Sequence, residues 1–201
     1  MKFPVLASLI LFIFLMQFRL HRHSRHASDE ESSFWEKEAK ANSTRRKSLD
    51  SLDYIIIPTK KLPMHILEEN EEICDVLETI HRLTQNKIVN FTGISNTDLK
   101  LKYGAPNLPL LMQYDQNYTL LARTLQKWAS LLYEAQYTKE AKQILEFAME
   151  TRTDVKASYI LLARIYQKED CPEKIEELKA LAETLQSASK TLILRNLNEI
   201  A

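Results

Sequence analysis

From Phe3 to Phe18 the chain is apolar at every position except Ser8 and Gln17. A helix of about 18 residues, rising ~1.5 Å per residue, reaches roughly 27 Å and can cross the hydrocarbon core of a bilayer. The run that follows, RLHRHSRHASD, places bulky and charged residues where a signal-peptide cut needs small ones. The pattern therefore predicts a retained transmembrane anchor over residues 1–20. Residues 21–62 are a basic collar and a polar linker without a sustained apolar face. Within them 33–41 reads as a short helix holding Phe34 and Trp35 near the membrane interface. Residues 54–58 (YIIIP) read as an extended segment laying its isoleucines along a groove of the body.

Beyond this the pattern has a helical period. Residues 63–115 form a helical lead-in. Ile73, Val76, Leu77, Ile80 and Leu83 recur at three- and four-residue steps, which predicts a helix over Glu68–Gln85, with Glu68, Glu69, Glu71 and Glu72 crowding its first turns. Those carboxylates spread round the helix rather than converging, so no acid–base or metal cluster is read there. Ser95 or Asn96 caps a brief helix through Lys102, ended by Gly104 and Pro106. Asn107 and Pro109 open another, expected to break near Asp115 because YDQNY is the polar patch in an apolar neighbourhood. Helices are then expected at 116–136, 138–150 (with Thr138 as its N-cap) and 154–168. Another is expected at 172–186, behind a capping box at Asp170–Glu173, and a closing helix opens at Ser187 or Ser189.

These last helices contain an internal echo. At a constant offset of 34 residues Leu125 falls on Tyr159, Trp128 on Leu162, Ala129 on Ala163, Leu131 on Ile165 and Leu132 on Tyr166. Ile144 falls on Leu178, Phe147 on Leu181 and Ala148 on Ala182. A 34-residue period with two amphipathic helices per unit is the mark of a stacked helix-pair solenoid, and the closing helix would cover the last apolar face.

Composition sharpens this. With 2 glycines in 201 residues the chain has almost no material for hairpins or phosphate-cradling loops. Its Leu, Glu, Lys, Ala and Gln are straight-chain or small helix formers, and the fold class is all-α. Net charge is zero, yet residues 1–47 hold nine Lys/Arg against five Asp/Glu, and the rest hold eighteen against twenty-two. A basic leader on an acidic body suits an anionic membrane surface and argues against nucleic-acid binding by the body. Arg19, Arg22 and Arg25 follow the apolar span while only Lys2 precedes it, which places the body on the cytosolic side. The interleaved HRHSRH histidines read as part of the basic collar, since flanking arginines repel a metal cation. Cys74 and Cys171 stand in no metal or redox spacing and read as unpaired. Asn42, Asn90 and Asn117 each begin a glycosylation sequon.

The residues on the 34-residue echo resemble tetratricopeptide repeats. Leu125, Trp128, Ala129, Leu132, Ala141 and Ala148 fit the large–bulky–small pattern in the first unit, and Tyr159, Leu162, Ala163, Tyr166 and Ala182 in the second. Ile175, Lys179 and the missing terminal prolines depart from it. The leader is similar to single-span bacterial membrane proteins with helical-repeat tails. The resemblance implies that residues 116–201 form stacked repeats with a capping helix, and that the first helix of each pair lines a groove. Carried over by position, the groove holds Arg123, Gln126, Ser130, Tyr133, Ile160, Arg164, Gln167 and Lys168, locally basic and suited to an acidic protein or peptide.

No glycine-rich phosphate loop, HExxH, nucleophile elbow or cysteine-rich metal spacing occurs. Cys74 and His81 lie two helical turns apart, too far for a nucleophile and its base on that helix alone. The expectation is a non-enzymatic, single-pass membrane adaptor without cofactor or metal. The alternative is a structural subunit packed permanently into a larger membrane complex.

Overall fold

The computed structural model describes residues 12–17 and 31–200. Every regular element among them is helical, so the chain is all-α. The expected anchor over 1–20 lies largely, and the basic collar wholly, outside the described residues. Residues 12–17 are helical and exposed. Among the described residues no helix is long and apolar enough to cross a membrane. Residues 31–42 form α1. There follow α2 (Glu71–Thr84), α3 (Asn96–Tyr103), a 3-10 turn (Ala105–Asn107), α4 (Leu108–Glu134), α5 (Thr138–Glu150), α6 (Lys156–Lys168), α7 (Pro172–Glu183) and α8 (Lys190–Ile200).

Two compact units divide the chain: Met1–Lys47 with Ser95–Leu108, and Ser48–Ile94 with Pro109–Ala201. In the first, α1 is fastened to α3 by charged side chains. Lys37 pairs with Asp98 at 2.8 Å. Glu38 accepts from the Lys100 ammonium and, at 2.7 Å, from the Thr97 hydroxyl. Lys100 also donates to the Asn42 side-chain oxygen at 2.8 Å. Ser95 caps α3, its hydroxyl accepting from the Asp98 N–H at 3.1 Å. The chain leaving α1 runs against the end of α3: the Lys47 N–H donates to the Tyr103 carbonyl and the Ala105 N–H to the Thr44 carbonyl, both at 3.1 Å. Asn107, expected to cap the next helix, turns inward instead, its amide donating to the Lys47 and Tyr103 carbonyls at 2.8 Å. Gly104 makes this approach feasible. It sits at φ 94°, and a Cβ there would lie 2.2 Å from the Arg45 carbonyl oxygen.

The second unit holds the main core. Asn70 caps α2 by accepting from the Ile73 N–H at 3.2 Å, so α2 begins three residues later than its apolar period suggests, leaving Glu68 and Glu69 outside it. Ile73, Val76, Ile80 and Leu83 are its buried face. The isoleucine segment does pack on this core, but through a loop rather than a helix groove. The Ile55 N–H donates to the Ile88 carbonyl at 2.9 Å, Ile57 is buried, and Ile56 is 83% exposed. The break expected near Asp115 does not occur: α4 runs unbroken through it. The polar patch finds partners in the 87–91 link instead. Asp115 accepts from the Phe91 N–H at 3.3 Å and the Asn117 amide donates to the Lys87 carbonyl at 2.9 Å.

From α4 onward two helix pairs share their turns at the 34-residue offset. In the first, the Gln136 N–H reaches the Tyr133 carbonyl and the Tyr137 N–H the Leu132 carbonyl. In the second, Asp170 reaches Gln167 and Cys171 reaches Tyr166. Both pairs of bonds are the Schellman closure, and it needs a left-handed residue at the turn: Gln136 at φ 70° and Asp170 at φ 57°. The helix boundaries Glu134/Lys168 and Thr138/Pro172 match likewise. This turn chemistry displaces the predicted caps. Tyr137 and Cys171 are the N-cap residues, neither making a side-chain cap bond, Thr138 is already helical, and no capping box forms at Asp170. Pro172 does take the first helical position, where a missing N–H costs nothing. Six of the echoed pairs are buried on both sides: Leu125/Tyr159, Trp128/Leu162, Ala129/Ala163, Leu132/Tyr166, Ile144/Leu178 and Ala148/Ala182. α6 packs against α5, α7 and α8, and α7 against α8. Both cysteines are free.

Candidate partner-binding face

The eight groove positions lie on α4 and α6, and the structure ties only some of them together. The Lys168 ammonium sits 5.0 Å above the Tyr133 ring and donates to its hydroxyl, joining the ends of α4 and α6. Gln167 reaches the Ile200 carbonyl at the end of α8 at 2.6 Å. Gln126 donates to Ser130 at 3.0 Å along α4. Ile160 is half-buried, and Arg164 is exposed with no ion pair among the described residues. Arg123 faces the other way along the row. It lines a shallow groove of about 190 Å³ with Lys127, Leu120 and Thr124 of α4 and Asp75, Val76 and Thr79 of α2. Lys127 pairs loosely with Glu72 of α2 at 3.8 Å. Lys127 was missed in the sequence because it falls outside the repeat-derived positions, though it stands one helical turn after Arg123.

Charge is sorted by helix. α6 carries Lys156, Arg164 and Lys168 and no acid. On α4 the cations Arg123 and Lys127 lie between Asp115 and Glu134. α7 opposes four glutamates with two lysines, and α5 three with two. α6 is thus the cationic helix of an acidic unit, and α4 is balanced.

Two other clefts were not legible beforehand, because their walls come from segments far apart in the chain. One, of about 460 Å³, is lined by 53–55, Asn90, Thr92, Ile94, 150–152 and 184–186. Asn90 shapes it by donating to the Thr151 and Arg152 carbonyls at 3.1 and 3.2 Å. Gly93 closes its edge at φ 84°, where a Cβ would meet Gln186 at 2.7 Å. The other, also about 460 Å³, lies among α5, α6 and α7. There Tyr166 donates to Glu146 at 3.1 Å, and burial, then the Glu146 charge, holds its phenol well above the usual range. Lys174 is held above its usual range by its bond to Glu177. Deeper in, the hydroxyls of Ser158 and Tyr159 are buried without a hydrogen-bonding partner among the described residues, and that of Tyr118 is buried near Thr151 and Thr153. Burial, reinforced by the Asp154 charge, pushes both tyrosines up. Among the described residues no group of three or more His, Cys, Asp or Glu could hold a metal ion. Comparison of the chain with protein-family models, with curated proteins and with solved structures finds no match.

Proposed function

We propose that the chain is a membrane-tethered, non-enzymatic adaptor. An apolar anchor over residues 1–20 holds a tetratricopeptide-like repeat domain at the cytosolic face, and the domain docks an acidic protein segment on its α4–α6 face. The observation carrying this reading is the 34-residue correspondence of turns, helix boundaries and buried positions in α4–α5 and α6–α7. A helix-pair solenoid acts through its extended surface, and here α6 contributes only cations to it. Arg123 and Arg164 lack ion-pair partners among the described residues and are free to meet carboxylates. Tethering raises the partner's effective concentration beside the bilayer. The reading as a fixed subunit of a larger complex draws on Leu110, Met112 and Leu120, which leave α4 36–40% exposed.

The test measures binding of acidic, neutral and basic peptides to the full chain and to an Arg123→Glu/Arg164→Glu/Lys168→Glu variant. The expected result is salt-sensitive binding of acidic peptides, lost in the variant. Equal binding by the two proteins, or no preference for acidic peptides, overturns the groove assignment.

A further inference from the structure

The two compact units carry opposite charge. Met1–Lys47 with Ser95–Leu108 holds eleven Lys/Arg against six Asp/Glu, whereas the other unit holds sixteen against twenty-one. Within the basic unit the acids Glu38 and Asp98 are already engaged by Lys100 and Lys37. Lys40, Arg45 and Arg46 are exposed and make no ion pair among the described residues. Lys102 is exposed over the Tyr103 ring. The same unit exposes two large aromatics side by side on α1, Phe34 at 54% and Trp35 at 60%. Their rings meet edge-on at 5.4 Å, and the indole N–H reaches Glu31 at 3.4 Å. An adjacent exposed Phe–Trp pair is costly in water, because the pair leaves large apolar area uncovered.

We propose that this basic unit is a membrane-surface module: Phe34 and Trp35 enter the boundary between headgroups and acyl chains, while Lys40, Arg45, Arg46 and Lys102 meet anionic headgroups. Three observations select a bilayer as the occupant. The unit's excess charge is positive, and the cytoplasmic leaflet is negative. Its exposed apolar groups are the aromatic types that settle at that boundary, Trp above all. The chain entering α1 comes from an apolar stretch ending at Phe18, with twelve residues between it and Glu31, and must stay close to whatever holds that stretch. At ~3.3–3.6 Å per residue such a run spans at most roughly 40 Å. This deepens the tethered-adaptor reading but stands on different residues. The tether needs residues 1–20, the module needs α1 and the 45–46 pair.

The full chain is mixed with vesicles of phosphatidylcholine, alone or with phosphatidylserine, made from lipids brominated high in the acyl chain. Flotation and tryptophan fluorescence are both read. Trp128 is fully buried and supplies an unquenched baseline. The expected result is quenching on phosphatidylserine vesicles that vanishes in Trp35→Phe and is relieved by salt. Each arginine removed by Arg45→Ser or Arg46→Ser weakens the quenched fraction's partition by roughly fivefold, from about 1 kcal/mol per cation near an anionic surface. Flotation on phosphatidylcholine without Trp35 quenching on any vesicle overturns the module and leaves the tether standing. Flotation and quenching only with phosphatidylserine overturns the tether and supports the module. Absence of both overturns both. Single-stranded RNA protecting Trp35 from acrylamide where vesicles fail to protect it also overturns the module.

Discussion

Gln136 and Asp170 occupy the same left-handed turn in the two helix pairs, at φ 70° and 57°. Both are exposed and neither side chain makes a hydrogen bond among the described residues, so replacing either with glycine costs no such bond there. A left-handed residue bearing a Cβ costs ~1–2 kcal/mol, and glycine relieves it. Glycine's extra freedom in the unfolded chain takes back ~0.4–1 kcal/mol. Gln136→Gly should therefore stabilise by ~0.5–1 kcal/mol. Aspartate visits this region more readily than glutamine, so Asp170→Gly should give less, ~0.3–0.5 kcal/mol. The sites share no partners and should add, raising the melting temperature by ~2–4 °C per kcal/mol. Urea unfolding of the full chain in mild detergent measures this, with Gln136→Ala as the control that keeps the Cβ and should change little. Destabilisation by Gln136→Gly, or an alanine gain equal to the glycine gain, would refute the reasoning.

Gly104→Ala should loosen the first unit by more than ~2 kcal/mol, since left-handed strain adds to a clash with backbone that cannot give way; amide exchange across α3 reads it. The carboxyls of Glu38 and Asp98 are held below their ordinary values of 4.5 and 3.8, the first chiefly by Lys100, the second by Lys37. Their contribution is complete above those values and is lost as pH falls through the lowered ones. Acid titration followed by Trp35 emission should thus release α1 from α3 below about pH 4, at the lower edge of the usual carboxylate range. At the other extreme Tyr118, Tyr159 and Tyr166 all have raised phenols. Their stabilisation is intact below pH ~10 and lost above it. Phenolate absorbance should show these three of the eight tyrosines ionising late, together with alkaline unfolding.

The helices were legible wherever their apolar residues recur over several turns: Ile73 to Leu83, Leu121 to Leu132 and Ala141 to Ala148 all proved to be buried stripes. What local pattern could not reveal was decided by distant partners. Asp115 and Asn117 look like a break until the 87–91 link takes up their side chains. Asp170 looks like a cap until the Cys171 N–H closes on Tyr166 and turns it left-handed. Residues 21–62 read as a linker apart from a short helix at 33–41, because the positions fastening α1 are Lys37, Glu38 and Asn42, polar groups whose partners lie some 60 residues away on α3. Of the groove positions, Tyr133 and Lys168 meet in a bridge that no spacing in the sequence announced, and Lys127 was passed over because α2 has no counterpart in the echo.

Asn90 and Asn117 are half-buried and their side-chain amides donate to backbone carbonyls, whereas Asn42 is exposed, its oxygen accepting from Lys100 and its amide nitrogen lying against the Glu38 carboxylate. A sugar can be attached only through that nitrogen. Of the three sequons, then, Asn42 is the one whose whole side chain stands open to a glycosylating enzyme on the folded chain. Expression in a host that adds such sugars turns Asn42 into a reporter of sidedness. A cytosolic body leaves it bare, and an outward-facing one gains a glycan there that Asn42→Gln removes.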